Sequence, residues 1–282
     1  MREVLKPACL EELFYQLDLY PEAQLMAGGT DLLIRLRNEA APDGRPLLLL
    51  ANLAELQGVN DTGTKISIGA ATRLCRLITD PLTGQHAPLL IRAARTIGGP
   101  AVRNMATIGG NISSASPAGD SLPPLHVLGA EVELTSRQGS RRLPIGKFVA
   151  GPGRTVLRNR EIITRILLPH GESFPCQTFE KVGLRRSLAV SLASFAGMVR
   201  LAADGCVEEA RFAWGSVAPT VVRFPELEAE LVGARLDRDS IRSAAEIVRQ
   251  GLSPIDDIRA TADYRRSVAG NLLLRFLNEI NG

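Results

Sequence analysis

Leu10, Leu13, Phe14 and Leu17 recur at helical spacing, so residues 10–19 predict a helix with one apolar face, which Pro21 stops. The short piece Gln24-Leu25-Met26 reads as a strand running into Ala27-Gly28-Gly29-Thr30-Asp31, and Leu32, Leu33 and Leu36 then mark the face of a second helix. The continuous apolar run over 47–51 is closely bounded by turn residues and predicts a buried strand, whereas residues 65–69 alternate cleanly and predict another. Helices are expected over 72–79 and 88–97, which makes the first half an α/β arrangement.

Beyond Asp120 the pattern predicts a helix over 122–128, a strand over 131–135 and a hairpin turn at Gly139 leading towards Arg141-Arg142-Leu143. A short helix over 145–149 and a strand over 161–168, stopped by Pro169, follow. Residues 170–175 are polar and broken by proline, which places a domain boundary there and divides the chain into 1–172 and 173–282. In the second part, 177–182, 189–201 and 207–217 predict an antiparallel sheet, with Asp204-Gly205 joining the last two. Helices are expected over 225–231, 239–250 and 260–279, the last with Val268, Leu272 and Phe276 one turn apart. There is no internal repeat and no low-complexity segment.

Composition narrows the class. At 282 residues with 45% hydrophobic and 22% charged positions, the chain suits a globular protein with ample material for a core. A net charge of +3 argues for no polyanionic partner, hence no nucleic acid. Cys9, Cys75, Cys176 and Cys206 are scattered with no C-x-x-C pair, which reads as free buried thiols rather than a metal or disulfide framework. His86, His126 and His170 are isolated and fit no metal pattern. No signal peptide and no membrane span appear, so a cytoplasmic location is expected.

Two glycine stretches carry the chemistry. Gly28-Gly29 stands between a strand and a helix start, where free N–H groups and the helix dipole favour an anion; Thr30 or Asp31 is the expected N-cap. Asp31 must cap or point away, because a carboxylate beside a phosphate repels it. The second stretch runs from Arg103 to Asp120 and contains Thr107-Ile108-Gly109-Gly110-Asn111, then a run of small hydroxyl residues closed by Asp120. Its N–H groups suit phosphate and Asp120 suits sugar hydroxyls, while a plain Gly/Ser turn is the alternative. Two such loops would hold a dinucleotide pyrophosphate, yet neither has the G-x-G-x-x-G spacing of an ordinary NAD domain. Arg103 would offset cofactor charge or form a surface ion pair.

The pair Ala27-Gly-Gly-Thr-Asp31 and Arg103-Asn-x-Ala-Thr-Ile-Gly-Gly-Asn-Ile112 resembles the FAD-binding subunit of the xanthine dehydrogenase family of molybdenum hydroxylases. Phe148-x-x-Gly-Pro-Gly-Arg-Thr-x-Leu157 with Glu161-Ile-Ile and Leu167-Leu-Pro169 is a third match, and Phe179-Glu-Lys-Val-x-x-Arg-Arg186 a fourth. They keep their order from near Met1 to about Arg186.

The resemblance implies an α+β chain: a two-subdomain FAD-binding fold of the vanillyl-alcohol-oxidase type over 1–172, then a C-terminal flavoprotein domain of a small antiparallel sheet with helices. It implies non-covalent FAD, with Ala27, Gly28, Gly29, Thr30, Asp31 and Leu32 and Thr107, Ile108, Gly109, Gly110 and Asn111 around the pyrophosphate. Asp120 would meet cofactor hydroxyls, and Ile97 and Ile163 would lie near its rings; core packing is the alternative for both. Arg185 and Arg186 would reach the flavin end or a partner, or form a solvated turn. Where many relatives continue the paired arginines with an acidic residue, this chain has Ser187-Leu188-Ala189, which leaves the flavin edge open. The implied role is electron transfer within a cytoplasmic heterotrimer: a molybdopterin-binding large subunit and an iron–sulfur small subunit would pass electrons to FAD here, and on to NAD or a quinone. A stand-alone FAD oxidoreductase and a non-enzymatic partner- or nucleotide-binding subunit are the alternatives.

Overall fold

Hairpins and short crossovers set the architecture. The computed structural model describes residues 2–38, 44–170, 174–185 and 188–281. In chain order the elements begin with β1 (Val4–Leu5), α1 (Leu10–Leu19), β2 (Gln24–Met26), α2 (Leu32–Asn38), β3 (Leu47–Leu49), β4 (Val59–Asp61) and β5 (Lys65–Gly69). Helices α3 (Leu74–Thr79), α4 (Pro81–His86), α5 (Pro88–Thr96), α6 (Pro100–Arg103), α7 (Ile108–Ser113) and α8 (Leu122–Val127) follow. Strands β6 (Glu131–Ser136), β7 (Gly139–Pro144), β8 (Val149–Gly151), β9 (Arg154–Thr155), β10 (Ile162–Pro169), β11 (Cys176–Val182), β12 (Ala193–Leu201) and β13 (Val207–Gly215) come next. The chain ends with α9 (Pro225–Leu231), α10 (Arg238–Gly251) and α11 (Ala262–Asn281). Two compact units emerge: Met1–His86 with Gly98–Ala115 and Ala130–His170, and Ala87–Ile97 with Ser116–Gly129 and Gly171–Gly282.

The first unit holds a parallel sheet in the order β1-β3-β2, and Leu13, Phe14 and Leu17 of α1 are buried in one cluster with Leu48 of β3, Leu53 and Leu56. Its larger sheet runs β4-β5-β10-β6-β7 and is antiparallel throughout. The α/β expectation therefore holds for the small sheet only. The turns at 62–64 and 137–138 are tight, Gly63 and the flanking Gly139 have positive φ, and connections this short join only antiparallel neighbours. Bidentate pairing of Arg141 with Glu161, both contacts at 2.7 Å, fixes the start of β10 beside β7. That contact, with the Arg158 N–H, holds the Glu161 carboxyl below the usual carboxylate range.

In the second unit, β11-β12-β13 form the antiparallel sheet that the alternation predicts. Phe195, Phe212, Trp214 and Phe276 stack at ring-centroid distances of 5.1 to 6.4 Å. Gly197 leaves room for them: a Cβ there would stand 2.7 Å from both the Phe195 and Phe276 rings. Trp214 donates its indole N–H to the Ala269 carbonyl of α11, so the buried ring is satisfied. Strand β12 starts at Ala193 rather than at the expected residue 189; ahead of it Leu188 has φ +54°, and its carbonyl accepts twice from the Arg185 side chain. Helices α5 and α8 belong to this unit too, since Leu89, Ala93 and Val127 pack with Phe179, Ala196 and Ala213.

The four cysteines are free, as expected, but half-buried rather than buried. Arg186 and residues 171–173 of the expected boundary lie outside the described residues. Among the described residues no helix is long and apolar enough to cross a membrane.

His126 of α8 gives the fold a pH signature. Burial, and secondarily the Arg223 charge, lower its pKa from 6.5 to about 4. A depressed folded-state pKa means stability that is present above about pH 6.5 and is lost as pH falls towards 4, amounting to about 3 kcal/mol. Denaturant unfolding between pH 7 and 4 is expected to show a shallower acid slope in His126→Gln than in the wild type; equal slopes would refute the burial argument.

Candidate functional site

Main chain meets main chain at the first glycine turn. Gly29 has φ +70°, which turns β2 into α2. A Cβ on Gly28 would stand 2.0 Å from the Met105 carbonyl oxygen and 2.9 Å from Ala106 Cα, so only glycine lets this turn lie against the 105–106 strand of chain. The two glycine stretches are thus brought together within the first unit. Among the described residues, nothing accepts a hydrogen bond from the N–H groups of Gly28, Gly29, Thr30, Asp31 and Leu32. A pocket of about 410 Å³ opens on the same β2–α2 segment, lined by Gln24, Leu25, Leu32, Arg35 and Arg45.

Asp31 does not cap α2. Its carboxylate pairs with Arg35 one turn on at 3.2 Å and accepts from the Ser114 hydroxyl at 3.3 Å. Arg35 offsets the charge that would repel a phosphate. The apolar face expected of α2 is not a core face either: Leu33 and Ile34 are exposed, and no residue of the helix is buried.

The second stretch is more ordered than a loop. Residues Ile108–Ser113 form the short helix α7, whose N-cap is Thr107, its hydroxyl accepting from the Gly110 N–H at 3.1 Å. Three more of its N–H groups are used: Ile108 donates to Thr72, Gly109 to Ala70 and Asn111 to Thr107. Gly109 is a packing device, since a Cβ there would meet Ala70 at 2.7 Å. The longest row of main-chain donors without an acceptor among the described residues therefore lies on the first turn, and the second stretch packs against it. Arg103 donates to the Gly98 carbonyl at 2.8 Å.

Ile163 is buried on β10, opposite Leu134 of β6, in the first unit. Ile97 and Asp120 belong to the second unit, where Ile97 is half-buried at the end of α5. Asp120 is buried, and its Oδ2 lies 2.5 Å from Lys181 Nζ. Lys181 also donates to the Thr96 carbonyl at 3.1 Å, which ties β11 to α5. The other carboxylate oxygen, Oδ1, is buried with no hydrogen-bond partner among the described residues. A buried acceptor left open in this way suits a hydroxyl donor brought by a ligand. Lys181 was within reach of sequence reasoning, because it stands in the Phe179-Glu-Lys motif; only the fold shows that it faces Asp120.

Burial raises the Asp120 carboxyl above its ordinary 3.8, and the Lys181 charge opposes the rise. A raised folded-state value means that this group's contribution is largest at low pH and declines as pH climbs through the folded pKa. Removing the cation in Lys181→Met should raise the carboxyl further. The stability gap between variant and wild type should then widen with rising pH, which unfolding at a series of pH values would read; a constant gap would show that the lysine does not act on Asp120.

The first 171 residues match the family model described as "FAD binding domain in molybdopterin dehydrogenase". Residues 178–280 match the "CO dehydrogenase flavoprotein C-terminal domain". The chain is 34% identical over 262 residues to the putative xanthine dehydrogenase FAD-binding subunit XdhB of Escherichia coli K12, covering 92% of this chain and 89% of that one. Its fold is similar to a chain of carbon monoxide dehydrogenase from Hydrogenophaga pseudoflava, at 30% identity and a TM-score of 0.92 over 98% of this chain and 96% of that one. It is likewise similar to a chain of quinoline 2-oxidoreductase from Pseudomonas putida 86, at 27% identity and a TM-score of 0.93 over 100% and 97%. With a free-donor turn, an open buried acceptor and both halves matched, the chain belongs to the FAD-binding family of molybdopterin dehydrogenases and is the FAD subunit of an oxidoreductase of the molybdenum hydroxylase class.

Proposed function

We propose that this chain is the electron-transfer subunit of a heterotrimeric, cytoplasmic molybdenum hydroxylase, taking electrons from iron–sulfur clusters on a small partner subunit and delivering them to an acceptor such as NAD or a quinone. Bound FAD supplies the redox chemistry; the chain binds and orients it. The single observation that carries this reading is the row of free N–H groups from Gly28 to Leu32, held against the 105–106 main chain.

In this reading the first turn, Ala27 to Leu32, takes the pyrophosphate through those N–H groups, as helix starts do for anions. Thr107, Ile108, Gly109, Gly110 and Asn111 stand behind it as the capped α7 and set its position. Asp120 Oδ1 accepts from a cofactor hydroxyl, with Lys181 holding the other oxygen. Ile97 and Ile163 supply apolar surface to the rings. We further propose that the fold is of the two-subdomain vanillyl-alcohol-oxidase type, and that the domains divide near 172. Hydroxylation of the substrate would take place on the molybdopterin-binding subunit. No nucleophile or general base is assigned to this chain.

Purified natively and then denatured, the chain should release close to one FAD per polypeptide, identified by absorbance and mass. Folded protein that neither carries nor takes up FAD would sink the assignment. Gly28→Ala forces its new methyl against the Met105 carbonyl, a backbone atom that cannot swing aside. A loss of about 1–3 kcal/mol in stability and a marked drop in FAD content are expected from this overpacking. Unchanged content would mean that the close approach does not shape the cofactor site.

A further inference from the structure

The fold gathers two histidines that stand far apart in the chain, against the expectation that all three are isolated. The His86 and His170 rings stack with centroids 4.2 Å apart and planes 10° from parallel. Asp61 lies beside them, its Oδ1 2.9 Å from His170 Nε2. One donor atom from each of the three lies within 4.8 Å of the others. All three belong to the first unit, well away in sequence from both glycine stretches.

Each residue closes an element. Asp61 ends β4, His86 ends α4, and His170 follows β10. Their placement is firm. Asp61 Oδ1 accepts from the Gly63 N–H at 2.7 Å, which fixes the carboxylate over the β4–β5 turn, and the His170 N–H donates to the Thr64 carbonyl at 2.9 Å on that same turn.

Two features point to a ligand. His170 Nε2 is buried and, despite its nearness to Asp61, makes no hydrogen bond among the described residues. The stacked rings also bring two imidazoles, the commonest metal ligand, together beside the Asp61 carboxylate. Ligands about 2.0–2.1 Å from one cation stand roughly 3.3–4.2 Å apart, so modest side-chain rotation would close the present 4.8 Å spread.

We propose that Asp61, His86 and His170 form a site for a borderline divalent cation of the zinc class, with water in the remaining positions. Imidazole and carboxylate donors suit Zn²⁺, Co²⁺ and Ni²⁺ rather than Mg²⁺ or Ca²⁺. The ion would tie the ends of β4, α4 and β10 together. The site is separate from the FAD reading and stands or falls without it.

The test is a Zn²⁺ titration of the reduced full-length chain against a chromophoric chelator. One ion per chain is expected in the wild type, with at least about tenfold weaker binding in His86→Asn and in His170→Asn and no change in His126→Asn. Unaltered affinity in both site variants, or loss only when the cysteines are replaced by serine, would overturn the site. Should a variant fail to fold, the wild type alone decides: Zn²⁺ should shift the imidazole proton resonances of two of the three histidines, and the proposal fails if none moves or if His126 moves instead. A rise in thermal midpoint with Zn²⁺ that survives in the double variant His86→Asn/His170→Asn would equally count against it.

Discussion

Close main-chain contact at residues 69–74 is the constraint on which the first unit depends. Gly69 donates to the Gly58 carbonyl, Ala70 to Thr164 and Ala71 to Leu56, while Ala70 and Thr72 accept from Gly109 and Ile108 and Leu74 donates to Ala106. One short connection thus ties β4, β10 and α7 together. Gly69 and Gly109 make this possible, since a Cβ on either would strike Leu56 or Ala70 at under 3 Å. The pinned 106–109 segment is in turn the surface against which Gly28 rests. The first glycine turn is held by this chain of backbone contacts, which Gly28 admits by having no Cβ.

The second unit is built on different physics. Its sheet faces three helices through a cluster of aromatic rings, and several of its buried polar groups are paired across elements. Glu228 accepts from the Phe212 N–H and from Arg223, and Arg265 donates to the Leu192 and Ser216 carbonyls while pairing with Asp257. Such groups cost far more unpaired than paired, so each fixes a register as well as adding stability. Asp120 fits the same scheme with one oxygen left over.

Electrostatics follow from burial more than from net charge. Arg35 pairs with Asp31 beside a turn whose N–H groups have no acceptor among the described residues, and Lys181 partly offsets the cost of burying Asp120. This local pairing is set inside a chain whose formal charge is only +3.

Periodicity alone determined α1, β5, the three-stranded sheet of the second unit and α9 to α11, because long amphipathic or alternating runs leave one way to bury their apolar side. Spacing of the glycines, hydroxyl residues and Asp120 was enough to single out the site stretches and their resemblance to flavin subunits. Tertiary structure decided the rest. The exposed α2, the helical α7 and the antiparallel larger sheet depend on contacts between segments up to a hundred residues apart. No local pattern shows that Gly109 serves Ala70, that Lys181 faces Asp120, or that His86 and His170 stack. Side-chain chemistry is written locally, but partners are chosen by the path of the backbone, and that path is a property of the whole chain.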